Sequence, residues 1–295
     1  SANTRYNGTQ ILNGSFSAKS LQVGIMSGED INFSIDTVEA SLLGTFVITS
    51  PVLAPNGVNS TAYASTNNGI DGDDVTIVGN GNTRTVTIET SDTAKATATK
   101  INAVAGATTV FAQARTAALL RSSSSTDLSY TVKINNVETA AFTLSSAGVT
   151  DAVTKINAIT ASTGVMAAAT TDGKVLLSDS NGDDITIENT STQTTLFVAA
   201  VENDGKTTAA AGGEDNLLAS GGTDLTTISG TIRLTSTEGF TVTQATAIGA
   251  GASFFTDGEV AASLSSVSSI AVTDTIGASD ALAVIDGALD TVSAM

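Results

Sequence analysis

The chain is 295 residues long and sets 12 basic residues against 29 acidic ones, a net charge of −17, with no cysteine and no histidine. That balance excludes binding to a nucleic-acid backbone, which depends on clustered Lys and Arg, and an anionic membrane surface would repel it. Without Cys or His there is no disulfide, thiolate site or imidazole metal site, and no Ser-His-Asp triad, Cys-His dyad or zincin motif.

Residues 1–43 read as a small β-region. Asn7-Gly8 and Asn13-Gly14 are turn dipeptides, short apolar runs stand at Ile11-Leu12 and Leu21-Gln22-Val23, and Ile31-Asn32-Phe33-Ser34-Ile35 alternates as a half-buried strand does. Taken alone, these signals fit any β-hairpin domain. Pro51 and Pro55, the only prolines, bracket a linker. From there to about residue 265 the chain is rich in Thr, Ser, Ala and Gly. Loops are expected at 122–125, 209–213 and 221–222. Gly79-Asn80-Gly81-Asn82 reads as a hairpin turn without the Lys of a phosphate loop.

An internal repeat occupies this middle stretch. Lys100-Ile101-Asn102-Ala103 recurs as Lys155-Ile156-Asn157-Ala158, a shift of 55, and Thr108, Val110 and Ala112 align with Thr163, Val165 and Ala167 at the same shift. Gly72-Asp73-Asp74-Val75-Thr76-Ile77 returns as Gly182-Asp183-Asp184-Ile185-Thr186-Ile187 at twice that distance, with Tyr130-Thr131-Val132 between them. The unit reads as strand, helix, strand. Its helices are expected over 93–105, capped by Asp92 or Thr93, and over 149–160, capped by Thr150 or Asp151. Each Asn is placed to end its helix in the left-handed conformation.

A last β-region is expected at 228–235 and 240–243, around a Glu238-Gly239 turn. The closing segment changes period. Ala278, Leu282, Ile285, Leu289 and Val292 recur every three or four residues, as one apolar stripe on a helix or heptad seam. Thr273, Asp274 or Thr275 caps its start, and it meets no Gly or Pro stop before Met295, as a helix cut rather than finished. An ordinary amphipathic helix carries the same stripe. Aromatic residues are only 4% and Trp is absent, so cores must be built from Ala, Val, Ile and Leu, which points to thin, elongated domains.

Two acidic loops are candidate calcium sites: Asp71, Asp73 and Asp74 in one, Asn181, Asp183 and Asp184 in the other. Oxygen-rich loops suit calcium, but neither completes an EF-hand, and a solvated turn before a strand has the same composition. Adjacent aspartates on a strand point to opposite faces, so no pair is set for glycoside hydrolysis, and no enzyme activity is expected. Arg115, Arg121 and Lys133 form the densest basic group, suited to an acidic polysaccharide; scattered solubilising charges are the alternative.

The opening from Asn3 to Phe16 with Leu21-Gln22-Val23-Gly24, and the close from Ile276 to Val292, together resemble flagellin. The first is similar to the segment that leads into that family's β-hairpin, the second to the start of its C-terminal core helix. The repeat resembles the family's "IN" motif: the second copy keeps Ile156-Asn157 and Thr163-Gly164-Val165-Met166-Ala167, while the first has Thr109 in place of the glycine. The resemblance implies an α+β, discontinuous, elongated multidomain fold. A core domain joins 1–43 to 266–295, an intermediate β-rich domain joins 44–60 to 225–265, and 61–224 forms a variable outer domain with two IN-type repeats. It implies a structural subunit of the bacterial flagellar filament serving motility. Ala278, Leu282, Ile285, Leu289 and Val292 would pack subunits, and the partners would be other flagellin subunits, an export chaperone and the filament cap. The family is exported by the flagellar type III route, so the lack of a signal peptide or membrane span is compatible with an extracellular location. The family's terminal coiled coils are not in this chain, so a non-polymerising fragment is expected. A flagellin-like surface adhesin or polysaccharide receptor and a hook–filament junction protein are the alternatives.

Overall fold

The structure is a computed structural model and describes residues 4–6, 8–26, 28–60, 68–201, 213–219, 222–244, 253–272 and 275–295. It is mixed and mostly sheet. Its helices are α1 (Ala94–Ala103), α2 (Ala105–Thr108), α3 (Thr150–Asn157), α4 (Thr160–Thr163) and α5 (Thr275–Ala294). No helix among the described residues is long and apolar enough to cross a membrane. The chain divides into two compact units, one of Ser1–Val47, Thr235–Gly239 and Ala262–Met295, the other of Ile48–Leu234 and Phe240–Ala261.

In the first unit, Arg5–Tyr6 pairs with Thr9–Gln10, and Lys19–Gln22 with Asp30–Phe33, both antiparallel. Gly8 turns the first hairpin at a φ of +80°, which only glycine adopts freely. Buried Phe16 meets Tyr6 edge-on and tilts against Phe33. Two backbone bonds tie the loops together, Ile35 N–H to Phe16 O and Val38 N–H to Leu12 O. Ser263–Ser266 pairs with the first residues of strand Gly44–Thr49. Helix α5 packs on Ser263–Ser266 and the short 3-10 turn that follows it. The helix comes in close because residue 287 is glycine: a Cβ there would stand 3.0 Å from both Gly44 O and Thr45 Cβ. Of the expected caps, Thr273 and Asp274 lie outside the described residues, and Thr275 is the first helical residue.

The second unit has a larger core. One sheet runs in the order Met166–Ala169, Val175–Asp179, Phe111–Ser122, Thr231–Ser236, and Leu196–Ala200 also pairs with Phe111–Ser122. A second runs Val137–Glu138, Val132–Ile134, Ile185–Asn189, Leu225–Ile228, Asn56–Val58. Leu120, Leu177 and Val198 on strands of the first share one buried cluster with Ile134, Ile187 and Ile228 of the second, closed off by Tyr130, Phe142 and Ile156. Each such side chain contributes about 1.5–3 kcal/mol on burial. Tyr130 is wholly buried, and its hydroxyl lies 2.7 Å from Ser122 Oγ and 2.6 Å from Thr195 Oγ1, which anchors the expected 122–125 loop. The Pro51–Pro55 stretch is irregular, as a connector should be, yet Val52 packs on this core. Of the other expected loops, 209–212 and Gly221 lie outside the described residues. The β-region at 228–235 is broken at Ser229-Gly230, where Gly230 lies against Ala94 and Thr116.

The repeat folds alike in its two copies. Asn80-Gly81 and Asn135-Asn136 turn equivalent hairpins, with φ of 48° and 67° in one and 47° and 66° in the other. Thr99 and Thr154 donate to the carbonyl four residues back at 2.8 Å in each. Thr93 caps α1 through its hydroxyl, whereas α3 starts at Thr150 without a side-chain cap. One expectation fails in both copies. Asn102 and Asn157 are helical; the left-handed residues come later, after the added turns α2 and α4, at Thr109 (φ 57°) and Gly164 (φ 76°). The asparagines instead reach the following strand. Asn102 Nδ2 donates to Ala112 O (2.9 Å) while its Oδ1 accepts from Ala112 N–H (2.8 Å). Asn157 makes the same pair with Ala167, at the same two distances. A side-chain amide offers one donor and one acceptor in the spacing of a peptide group, which is why Asn recurs here.

Candidate functional site

The apolar stripe on α5 lies on the surface. Ala278 is exposed, as are Leu282 (59%), Ile285 (49%), Leu289 (61%) and Val292 (42%). The buried face consists of Ala281, Val284 and Ala288. At about 3.6 residues per turn, this face lies roughly a quarter-turn from the stripe. Asp286 and Asp290 flank the stripe on its other side, and the helix carries no basic residue. The helix therefore holds its unit with small residues and leaves its large ones outside, the reverse of a surface helix with one apolar face. The hairpins of the same unit also leave large side chains out: Leu21, Val23, Ile25, Met26 and Ile31 are exposed. Tyr6, Ile11, Phe16, Lys19, Leu21 and Phe33 line a hollow of about 450 Å³ there.

The two acidic loops are tied up by protein partners. Asp73 is buried and accepts from Ser253 Oγ at 2.8 Å. Asp71 is half-buried, and Asp74 and Asn181 are exposed. Asp183 and Asp184 stand just before strand Ile185–Asn189 and take different partners. Asp183 pairs with Lys95 at 2.6 Å, and Asp184 Oδ2 accepts from Asn68 Nδ2 at 2.9 Å. Asp179 Oδ1 accepts from the backbone N–H groups of Asn181 and Gly182, which closes the turn. Among the described residues no group of three or more acidic side chains is gathered as a metal would need. Burial, helped a little by the charge of Asp183, pushes the Asp184 carboxyl up to about 7, against the opposing hydrogen bond from Asn68.

The basic group is dispersed. Arg121 binds Glu214 through two nitrogens and stacks 4.3 Å over the Phe197 ring. This pairing raises the Arg121 pKa and lowers that of Glu214. Lys133 is 3.1 Å from Glu188. Arg115 lies six residues before Arg121 on one strand, about 20 Å away at the usual rise. It faces a different feature, an open groove of about 380 Å³ lined by Lys95, Thr99, Asn102, Gln113, Arg115 and Asn181. The 55-residue shift places Thr150, Ala168 and Thr170 where Lys95, Gln113 and Arg115 stand, so only the first repeat carries these cations. Lys95 and Asn68 escape a reading of the sequence because their partners, Asp183 and Asp184, are 88 and 116 residues away. The chain matches no family model and no curated protein.

Proposed function

We propose that the protein is a structural subunit of a flagellin-like filament. The observation that carries this reading is α5, a helix anchored by Ala281, Val284 and Ala288 with a second, unburied apolar stripe beside that anchor. Exposed apolar patches of this kind are docking surfaces, and the stripe has the heptad spacing of helix-to-helix packing. Other copies of the subunit, an export chaperone and a cap are the partners of this reading, and its location is outside the cell after type III export. The role is mechanical rather than enzymatic. A hook–filament junction protein would use the same helix.

The test is Leu282→Gln together with Leu289→Gln, expressed from the complete reading frame. Filaments seen by electron microscopy should be short or absent and swimming lost. The unfolding free energy of the purified chain should change by less than about 0.5 kcal/mol, as for other surface changes. Filaments of normal length would sink the reading.

A second reading, a surface receptor for acidic polysaccharide, is favoured by the groove of Arg115 and Lys95, where an acidic ligand would compete with Asp183 for Lys95 among amide and hydroxyl groups. Calorimetry with a polyuronate should show Lys95→Ala plus Arg115→Ala weakening binding at least about tenfold, an effect damped by salt. Lys133→Ala should leave binding unchanged. Equal losses from both variants would assign the attraction to general charge.

A further inference from the structure

Asn68 joins four separate parts of the second unit. Its Nδ2 donates to Ser91 O (3.3 Å), Asp92 O (3.0 Å) and Asp184 Oδ2 (2.9 Å). Its Oδ1 accepts from Ile70 N–H, and its carbonyl accepts from Ser229 Oγ, both at 3.0 Å. Asn68 is itself buried, and Asp184 Oδ1 is buried without a hydrogen-bond partner. The surrounding charges are committed elsewhere. Lys95 holds Asp183, and Lys100 holds Asp92 at 2.6 Å and lies 3.8 Å from Glu89. On the Asn68 loop itself the nearby ionisable groups are Asp71 and Asp73, the latter bonded to Ser253. Asp184 thus has one amide donor and acidic neighbours, but none of these cations pairs with it. Asp184 as a whole is half-buried, but a carboxylate with one oxygen shut away from water and no compensating charge is disfavoured.

We propose that Asn68 and Asp184 form a proton-governed clasp, closed while Asp184 is protonated and opened when it ionises, because the cost of keeping the charge from water outweighs the stronger bond that Asn68 makes to a carboxylate; opening frees the 68–72 loop, the 91–92 turn and the start of strand Ile185–Asn189 from one another. The direction follows from linkage. The folded carboxyl titrates near 7, above the ordinary 3.8. The native state therefore binds more protons than the unfolded state between these values, and stability falls as pH rises through that window, then levels off above it. The clasp is tight in mildly acidic surroundings and slack in alkaline ones.

Hydrogen exchange read by mass spectrometry at pH 5.5 and pH 8, corrected for intrinsic rates, tests this. In the intact chain, peptides covering 68–72 and 183–189 should lose protection at least tenfold at pH 8, while peptides covering 111–122 keep theirs. Asp184→Asn, which cannot ionise and still accepts from Asn68, should hold protection at both pH values. Asn68→Ala, which cuts the tie, should exchange fast at both. Equal pH dependence in the wild type and Asp184→Asn overturns the proposal, as does a wild type with no pH dependence or an Asn68→Ala that stays protected.

Discussion

Val284→Asp is expected to melt α5 and unfold the first unit, with a loss of about 3–5 kcal/mol, the range for a buried charge left unpaired. Val284 is 2% exposed, on the face that seats the helix. The unit's core is thin: among its described residues the buried apolar side chains are Phe16, Leu43, Ala281, Val284 and Ala288. Its only basic residues are Arg5 and Lys19, both on the opening hairpins, so the helix has no cation of its own to meet a new carboxylate. Small domains have margins of only several kcal/mol, and one such substitution uses up most of that margin. Circular dichroism at 222 nm reads the outcome well, because α5 holds 20 residues of helix. Leu289→Asp, on the exposed stripe, should change the signal and melting point little. If the two variants behave alike, the helix is seated the other way round.

Asn157→Ala should destabilise the second unit by about 1–3 kcal/mol, because it strips partners from the N–H and the carbonyl of Ala167 at once. Asn157→Asp keeps the acceptor but sets a second oxygen against Ala167 O, so it should recover little. Asn102→Ala is an internal replicate, since its bonds to Ala112 match in kind and length. Urea denaturation of the three variants checks this, and a loss below about 0.5 kcal/mol in both alanine variants would show that water replaces the amide without penalty.

The repeat was legible in the sequence because its signals are local. The Asn80-Gly81 turn, the Thr93 cap and the recurring Ile-Asn all act within a few residues of one another, and the structure returns both helices, although the second lacks the expected cap at Thr150 or Asp151. What Asn102 and Asn157 do was not legible, since left-handed helix ends and side-chain clamps favour the same residue. The α5 stripe was easily seen because Leu and Ile give a strong periodic signal. The face that the helix buries is made of Ala281, Gly287 and Ala288 around one Val, too weakly apolar to stand out. For the candidate sites, the sequence showed which charges exist but not which ones neutralise each other. Arg121 with Glu214 and Lys133 with Glu188 are pairs joined only by the strand order.

The amide clamp at Asn157 has one more consequence. Met166–Ala169 is the outermost strand of its sheet, uncharged and rich in alanine. An open edge of that kind invites foreign strands to add on, and proteins usually defend it with lysine, proline or a bulge. Here the amide of Asn157 takes up the N–H and carbonyl of Ala167, standing in for the neighbour that would otherwise be recruited. This edge of the sheet is therefore blocked at Ala167 by a residue of its own repeat. A module that seals its own border can be repeated along a chain without exposing a sticky edge at each copy.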